Sequence, residues 1–575
     1  MTKKHLSDPR RADYTEVVDK FRVIKPDPLI RASATKLDAN KTTTVESGLE
    51  PYTGDWTEDH IARFLKRLLF GVKKSELVHF STLSFDQAMA EVMMPSEPIT
   101  PPVNDYEGLD GLSDPNVPKG ETWITAPFTN ETSIARIITL KAWMVKNIVT
   151  QKSSMFEKMV LFWHNLLVTE IWSVFIPKMS YDYIELIRKN CLGNFKTMIR
   201  ELTVNPAMLL YLNGTFNTKE AADENYGREL QELFCVGKGP GSGYTESDVQ
   251  TAAGVLTGWE LNWEDIDQAR RVGSGFTPSR HDTGDKVFSE FYGNRVIQGK
   301  SGAAGGEELD ELLDMIFEAN ETAVYICRRI YGFFVNGAID ENAEQNVIQP
   351  LAEIFRNNDF EIRPVLEALV KSAHFHDMLL EGAIIKSPAE FLYGIWRSME
   401  MQYPDPNDLA KLRLTHAHLH WAMVPLGMEI GDPPGVAGWT AYYQAPLYDK
   451  TWITAGSIVS RARLTDEWTF SGFTLDEEHT VPMDLLAFVD RLHNGQDPNA
   501  LIQETSQLLL GISASESLRN ELKSILLSGQ DADSYWTDAW LTYKNNPSEE
   551  NRSIVENRLK STFQALFQLP EFQLT

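Results

Sequence analysis

Three cysteines in 575 residues, Cys191, Cys235 and Cys327, are too few and too widely spaced for a disulfide framework. With no C-x-x-C pair and no Cys/His ladder, a thiolate zinc site is not expected, and buried free thiols are the reading that fits their apolar helical contexts. Cations are also short: 54 Lys and Arg stand against 81 Asp and Glu, a formal net charge of −27. Phosphate neutralisation needs clustered Lys and Arg, so nucleic acid is not an expected partner. No long uninterrupted apolar run exists. The longest, Met159 to Ile176, is broken by His164, Asn165, Thr169 and Glu170, and reads as a central buried helix rather than a membrane span. The first residues are basic but lack an apolar stretch and a small-residue cleavage site, which makes a cytoplasmic location the expectation. No repeat of fixed period is present.

What is there is helical periodicity. Residues 1–55 read as an extended polar arm, 56–465 as a helical core, and 466–575 as a C-terminal helical segment packed on it. Thr57 with Glu58 and Asp59 signals a helix start. Pro, Gly, Asp and Asn between 95 and 129 predict a surface loop. Helices are expected over Ser133–Thr150, Met155–Phe175, Ser180–Cys191, Asn194–Thr203 and Glu220–Val236. Thr245 with Asp248 caps the next, Glu246–Thr257. The Gly-rich stretch 258–300 is where strands belong, as an irregular or β-hairpin excursion. The fold class that follows is mainly α, a multi-helix body with that small excursion.

The densest chemistry lies in Asn225-Tyr-Gly-Arg-Glu-Leu-Gln-Glu-Leu-Phe234. On a helix Glu229 and Glu232 point the same way with roughly 5–6 Å between Cβ atoms. Two such carboxylates can share a metal, share a proton, or hold cations. For the last alternative Arg67, Arg200 and Lys286 are the candidate partners. His281-Asp282, followed by Gly284 and Lys286, sits in a polar loop, where His281 can serve as base or ligand. A divalent metal would draw on His164, Glu229, Glu232 and His281. Glu229, Glu232, His281 and Asp282 are the catalytic candidates; Arg228, Lys286 and Trp439 are the substrate-binding ones.

Four further features read as structure. The run Gly237-Lys-Gly-Pro-Gly-Ser-Gly243 follows a helix and lacks the terminal Lys-Ser/Thr of a phosphate loop, so it is a turn. Ser387 before Pro388 is a helix cap. His416 and His420 share a helical face but lack the glutamate of a metalloprotease, and are expected at the surface. Pro433-Pro-Gly-Val-Ala-Gly-Trp439, with Tyr442, Tyr443 and Trp452, forms an aromatic loop that either lines a groove for sugar or peptide or plugs the body.

Several of these motifs, in order, resemble one bacterial family, the domain of unknown function 1800 (DUF1800). They are Arg67-Leu-Leu-Phe-Gly71, Met159-Val-Leu-Phe-Trp-His-Asn165, Asn205-Pro-Ala-Met208, Glu224 to Phe234, Leu256-Thr-Gly-Trp259, His281-Asp-Thr-Gly-Asp-Lys286, Ile385-Lys-Ser-Pro388 and Asp432-Pro-Pro-Gly-Val-Ala-Gly-Trp439. The resemblance implies a mostly helical protein, often encoded beside a DUF1501 partner that resembles sulfatase- or phosphatase-like hydrolases. Many relatives look exported. Relatives commonly read Phe-Trp-His-Asn-His where Leu166 stands here, so His164 lacks a second histidine beside it. Two functions are expected from these residues: a metal-assisted or acid/base hydrolase acting on a polymer or its modified units, or a non-catalytic accessory protein working with a DUF1501-type partner.

Overall fold

Amphipathic segments with capped ends account for most of the architecture, seen in a computed structural model that describes residues 45–95, 99–476 and 479–575. The protein is mainly α-helical. Thr57 does occupy the N-cap of the helix Glu58–Leu68, but its hydroxyl bonds the His60 ring at 2.7 Å instead of a backbone amide. Its buried face, Ile61, Phe64, Leu65 and Leu68, feeds one hydrophobic core that runs through the unit Val45–Thr575. Of the expected N-terminal arm, residues 1–44 lie outside the described residues. From Val45 on the chain pairs with the segment after the Ile362–Val370 helix, where Tyr52 N–H donates to Lys371 O at 2.9 Å.

At the centre lies Asn130–Thr150, buried along most of its length and packed against Leu409–Met423 and Pro388–Ser398. That packing buries His416 and His420, at 3% and 1% exposure, and overturns the expectation of a surface pair. Capping was read correctly at two places. Thr245 and Asp248 close a box on the helix Glu246–Val255, and Ser387 and Glu390 do so on Pro388–Ser398.

The single helix expected over Met155–Phe175 is broken. Phe156–Leu166 ends, and a short turn, Ile171–Val174, follows. Groups from elsewhere capture the backbone that would have continued it. The Tyr183 hydroxyl donates to Leu167 O at 2.5 Å, Ile171 N–H donates to Gly431 O at 3.0 Å, and Asp432 accepts from Trp172 N–H at 2.8 Å. Both halves stay buried, and no helix among the described residues is long and apolar enough to cross a membrane.

The strands fall where glycine density placed them. Trp259–Leu261 pairs antiparallel with Ser274–Phe276, and Lys286–Val287 with Val296–Ile297. A third two-stranded pair, Phe473–Thr474 with Thr480–Val481, lies outside the expected stretch. The segment after residue 466 meets the rest through backbone contacts: Lys66 Nζ donates to Gln507 O at 2.8 Å, and Thr575 N–H to Ile384 O at 2.9 Å.

Candidate functional site: an acidic pair on a π turn

The helix expected from Glu220 begins later, at Asn225. It is α-helical only to Glu229, and Leu230–Cys235 is a π turn. Such turns are rare and often mark functional positions, because the wider winding re-aims side chains. Here Glu229 closes the α-helical part and Glu232 lies within the turn. Glu232 forms an ion pair with Lys238 just past the turn. Glu229 is half-buried, and among the described residues its carboxyl has neither a hydrogen bond nor an ion pair. Burial pushes that carboxyl up to about 7, with the neighbouring Glu232 charge adding and Arg228 and Lys238 opposing. Tyr244 stands close enough for both glutamates to raise its phenol, and its buried hydroxyl has no hydrogen-bond partner. On the other flank burial and Glu170 raise the Tyr211 phenol, with Glu229 adding least; its hydroxyl donates to Glu170 at 2.7 Å.

The remaining candidates occupy other places. Arg228 does not pair with Glu229; it is gripped by Glu246 at 2.8 Å and by Glu224 at 3.0 Å. The cations expected to brace the pair are also engaged elsewhere. Arg67 donates to the carbonyls of Phe375 and Leu380, Arg200 pairs with Asp310, and Lys286 pairs with Glu308.

His281 belongs to a separate, sealed cluster. Its Nδ1 lies 2.9 Å from Thr257 O, and its Nε2 lies 3.1 Å from Glu308 Oε1, near enough to pair electrostatically but outside hydrogen-bond geometry. Lys286 Nζ is 2.6 Å from Glu308 Oε2 and also donates to Asp282 O. All three ionisable side chains are buried, Glu308 completely. Asp282 is turned to its own loop, accepting from Gly284 N–H at 2.9 Å. Glu308 is the residue that sequence reasoning missed. It sits at a helix start beside Glu307 and Asp310, where acids normally face water.

His164, in the last turn of Phe156–Leu166, is completely buried. Nδ1 is 3.1 Å from the Tyr183 hydroxyl, and burial, with Lys141 nearby, lowers the ring to about 3, so it is neutral. Its Nε2 has no partner. Trp439 packs edge-on to it, with ring centroids 6.1 Å apart. At 2% exposure Trp439 does not face a ligand. It is held there because its N–H donates to Asn165 Oδ1 at 2.9 Å, and because Gly438, at φ +82°, comes so near Asn165 that a Cβ would lie 2.2 Å from its carbonyl oxygen. The loop 432–439 is thus a plug at this end. A groove is formed beyond it instead, by Tyr442, Tyr443 and Trp452.

His164, Glu229, Glu232 and His281 therefore do not converge, and no cluster of three or more possible His, Cys, Asp or Glu ligands exists among the described residues. The residues do not fit the divalent metal expected of them. What they do bring together is Glu229, Glu232, Lys238 and Tyr244. The glycine run beside them is not a phosphate cradle. A Cβ on Gly241 would lie 2.0 Å from the Glu321 carboxylate, so the loop is packed against an acid. The three thiols are buried and unpaired, as expected, and burial pushes each upward.

A mainly α-helical body carrying an acidic pair on a π turn is the class that fold and site define. Residues 63–574 match the family described as protein of unknown function (DUF1800), and the chain belongs to that family. No curated protein and no solved structure shows significant similarity to it.

Proposed function

We propose that the protein is an acid–base hydrolase whose proton-transfer pair is Glu229 and Glu232, acting on a polymer or its modified units. One observation carries this reading: Glu229 is a half-buried carboxyl with no internal partner, poised near neutrality beside a second carboxylate that is ion-paired to Lys238. Carboxyl groups whose environments push them apart divide the acid and base roles between them. Glu229 keeps its proton to neutral pH and can give it to a leaving-group oxygen. Glu232, ion-paired to Lys238, can take a proton from water. Tyr244, with an unpartnered buried hydroxyl, is placed to orient the bound group. A buried structural acid would be expected to have its lone pairs engaged, as those of Glu308 are.

A panel of nitrophenyl glycosides, esters, phosphates and sulfates tests the proposal. One class is hydrolysed, with a rate that falls above about pH 7 as Glu229 loses its proton. Glu229→Gln lowers kcat on that class by roughly 100-fold or more, the span of general acid catalysis. Unchanged kcat in Glu229→Gln, or no turnover of any class by the parent chain, overturns it and leaves the accessory role beside a DUF1501-type partner.

A further inference from the structure

The loop that sequence reading singled out as aromatic leads to a cleft of about 500 Å³, a volume typical of small-ligand sites. It lies between the helix Asn320–Phe334 and the segment 441–452. Its walls include Tyr325, Phe333, Tyr442, Tyr443, Tyr448 and Trp452. We propose that this cleft binds a saccharide unit bearing one anionic group, with Arg329 receiving the anion and the tyrosine faces receiving the ring. The inference names the substrate class for the proposed hydrolase and rests on that reading only for what happens to the ligand once bound.

Charge decides where the anion goes. Three cations line the cleft, Lys238, Arg328 and Arg329. Lys238 is neutralised by Glu232, and Arg328 by Glu321 and by Glu344 at 2.8 Å. Arg329 has no carboxylate partner among the described residues. Its Nη1 donates to Tyr442 O at 3.1 Å, and its guanidinium lies 6.0 Å from the Tyr325 ring centroid. An uncompensated guanidinium is unusual in a chain of net charge −27, and its remaining N–H groups form a fork suited to a planar or tetrahedral anion. The two acids of the cleft do not compete for it. Glu390 is held by Lys158 at 2.6 Å, and Asp449 accepts from Ile385 N–H at 2.8 Å.

Shape favours a sugar over an acidic peptide. An extended peptide gains affinity from a strand edge, and this cleft is walled by a helix and by the short turns Thr440–Tyr442 and Tyr448–Trp452. A pyranose has an apolar C–H face and a hydroxyl rim, which matches tyrosines that present a ring face with a hydroxyl at its edge. Tyr443 is 37% exposed, and the hydroxyls of Tyr443 and Tyr448 have no hydrogen-bond partner among the described residues.

Calorimetric titration of the full chain with a galacturonic acid pentamer, a neutral glucose pentamer, a sulfated glucose pentamer and a penta-aspartate peptide tests this. Either acidic sugar binds at least tenfold more tightly than the neutral one; which of the two binds better identifies the anion as carboxylate or sulfate. Arg329→Gln brings the acidic sugar down to the neutral level, Arg329→Lys falls between, and Tyr443→Ala weakens both. Arg329→Lys keeps the charge and reads the same contact should the glutamine variant fail to fold. Equal affinity for neutral and acidic sugars, tighter binding of the peptide, undiminished binding in Arg329→Gln, or no binding of any sugar overturns the proposal. Glu229→Gln keeps full sugar affinity, so loss of turnover there and loss of binding at Arg329 are separately readable.

Discussion

Two clusters in this protein have similar inventories, a glutamate with a cation and a second ionisable group, yet opposite states. Around Glu308 the carboxylate is fully engaged: one oxygen accepts from Lys300 N–H at 2.6 Å with His281 Nε2 3.1 Å away, and the other accepts from Lys286. Around Glu229 the carboxyl is left without a partner and a tyrosine hydroxyl is left without an acceptor. A sealed cluster whose carboxylate is fully engaged fixes the fold of the excursion around residues 258–308. An unsatisfied one is what a bound molecule can complete. The difference shows that residue type alone does not mark a site; the unfilled hydrogen-bond capacity does.

Removing Glu308 has the largest expected effect. Glu308→Ala leaves Lys286 buried without its counter-charge, and urea unfolding is expected to show a loss of about 3–5 kcal/mol. A loss below 1 kcal/mol would make the two clusters energetically alike. Gly305→Ala probes the seal itself. Its Cβ would meet His281 Cδ2 at 2.6 Å and the Phe276 ring at 2.9 Å. Overpacking of this kind costs roughly 1–3 kcal/mol, read as a lowered unfolding midpoint.

Glu229→Gln gives the smallest expected effect and the one with a sign. The folded protein holds this carboxyl above its ordinary value. The parent chain is therefore favoured below about pH 4.5 and loses that contribution as pH rises through about 7. Glutamine cannot ionise, so the variant gains stability relative to the parent above pH 7, by about 1 kcal/mol after allowing for solvent at a half-buried group. Identical pH profiles of the two melting curves would refute the placement of Glu229 near neutrality.

Local signals were legible in the sequence and long-range ones were not. The boxes at Thr245 and Ser387 are spelled within four residues, and the structure forms both. Glycine density located the two hairpins of the excursion. The break after Leu166 was invisible because Tyr183, Gly431 and Asp432 make it from outside the helix. The burial of His416 and His420 was not legible because the missing metalloprotease glutamate speaks only against a metal, whereas the neighbouring helix Asn130–Thr150 is what covers them. Glu229 and Glu232 were singled out from spacing alone. Their supposed cationic partners were misassigned, since Lys286 meets Glu308, an acid that nothing nearby distinguishes from its helix-capping neighbours.

The π turn at Leu230–Cys235 has a consequence for how the pair is inherited. Its i to i+5 bonding holds one residue more than an α turn needs. Deleting Gln231 would let the segment rewind as an ordinary helix, and each residue of helix is worth about 100° of rotation. Glu232 would then turn away from Glu229 while its spacing to Lys238 stayed the same, although no acid had been substituted. The spacing of the two carboxylates is thus encoded by the length of the chain between them, and a single-codon deletion there would part the two acids without replacing either.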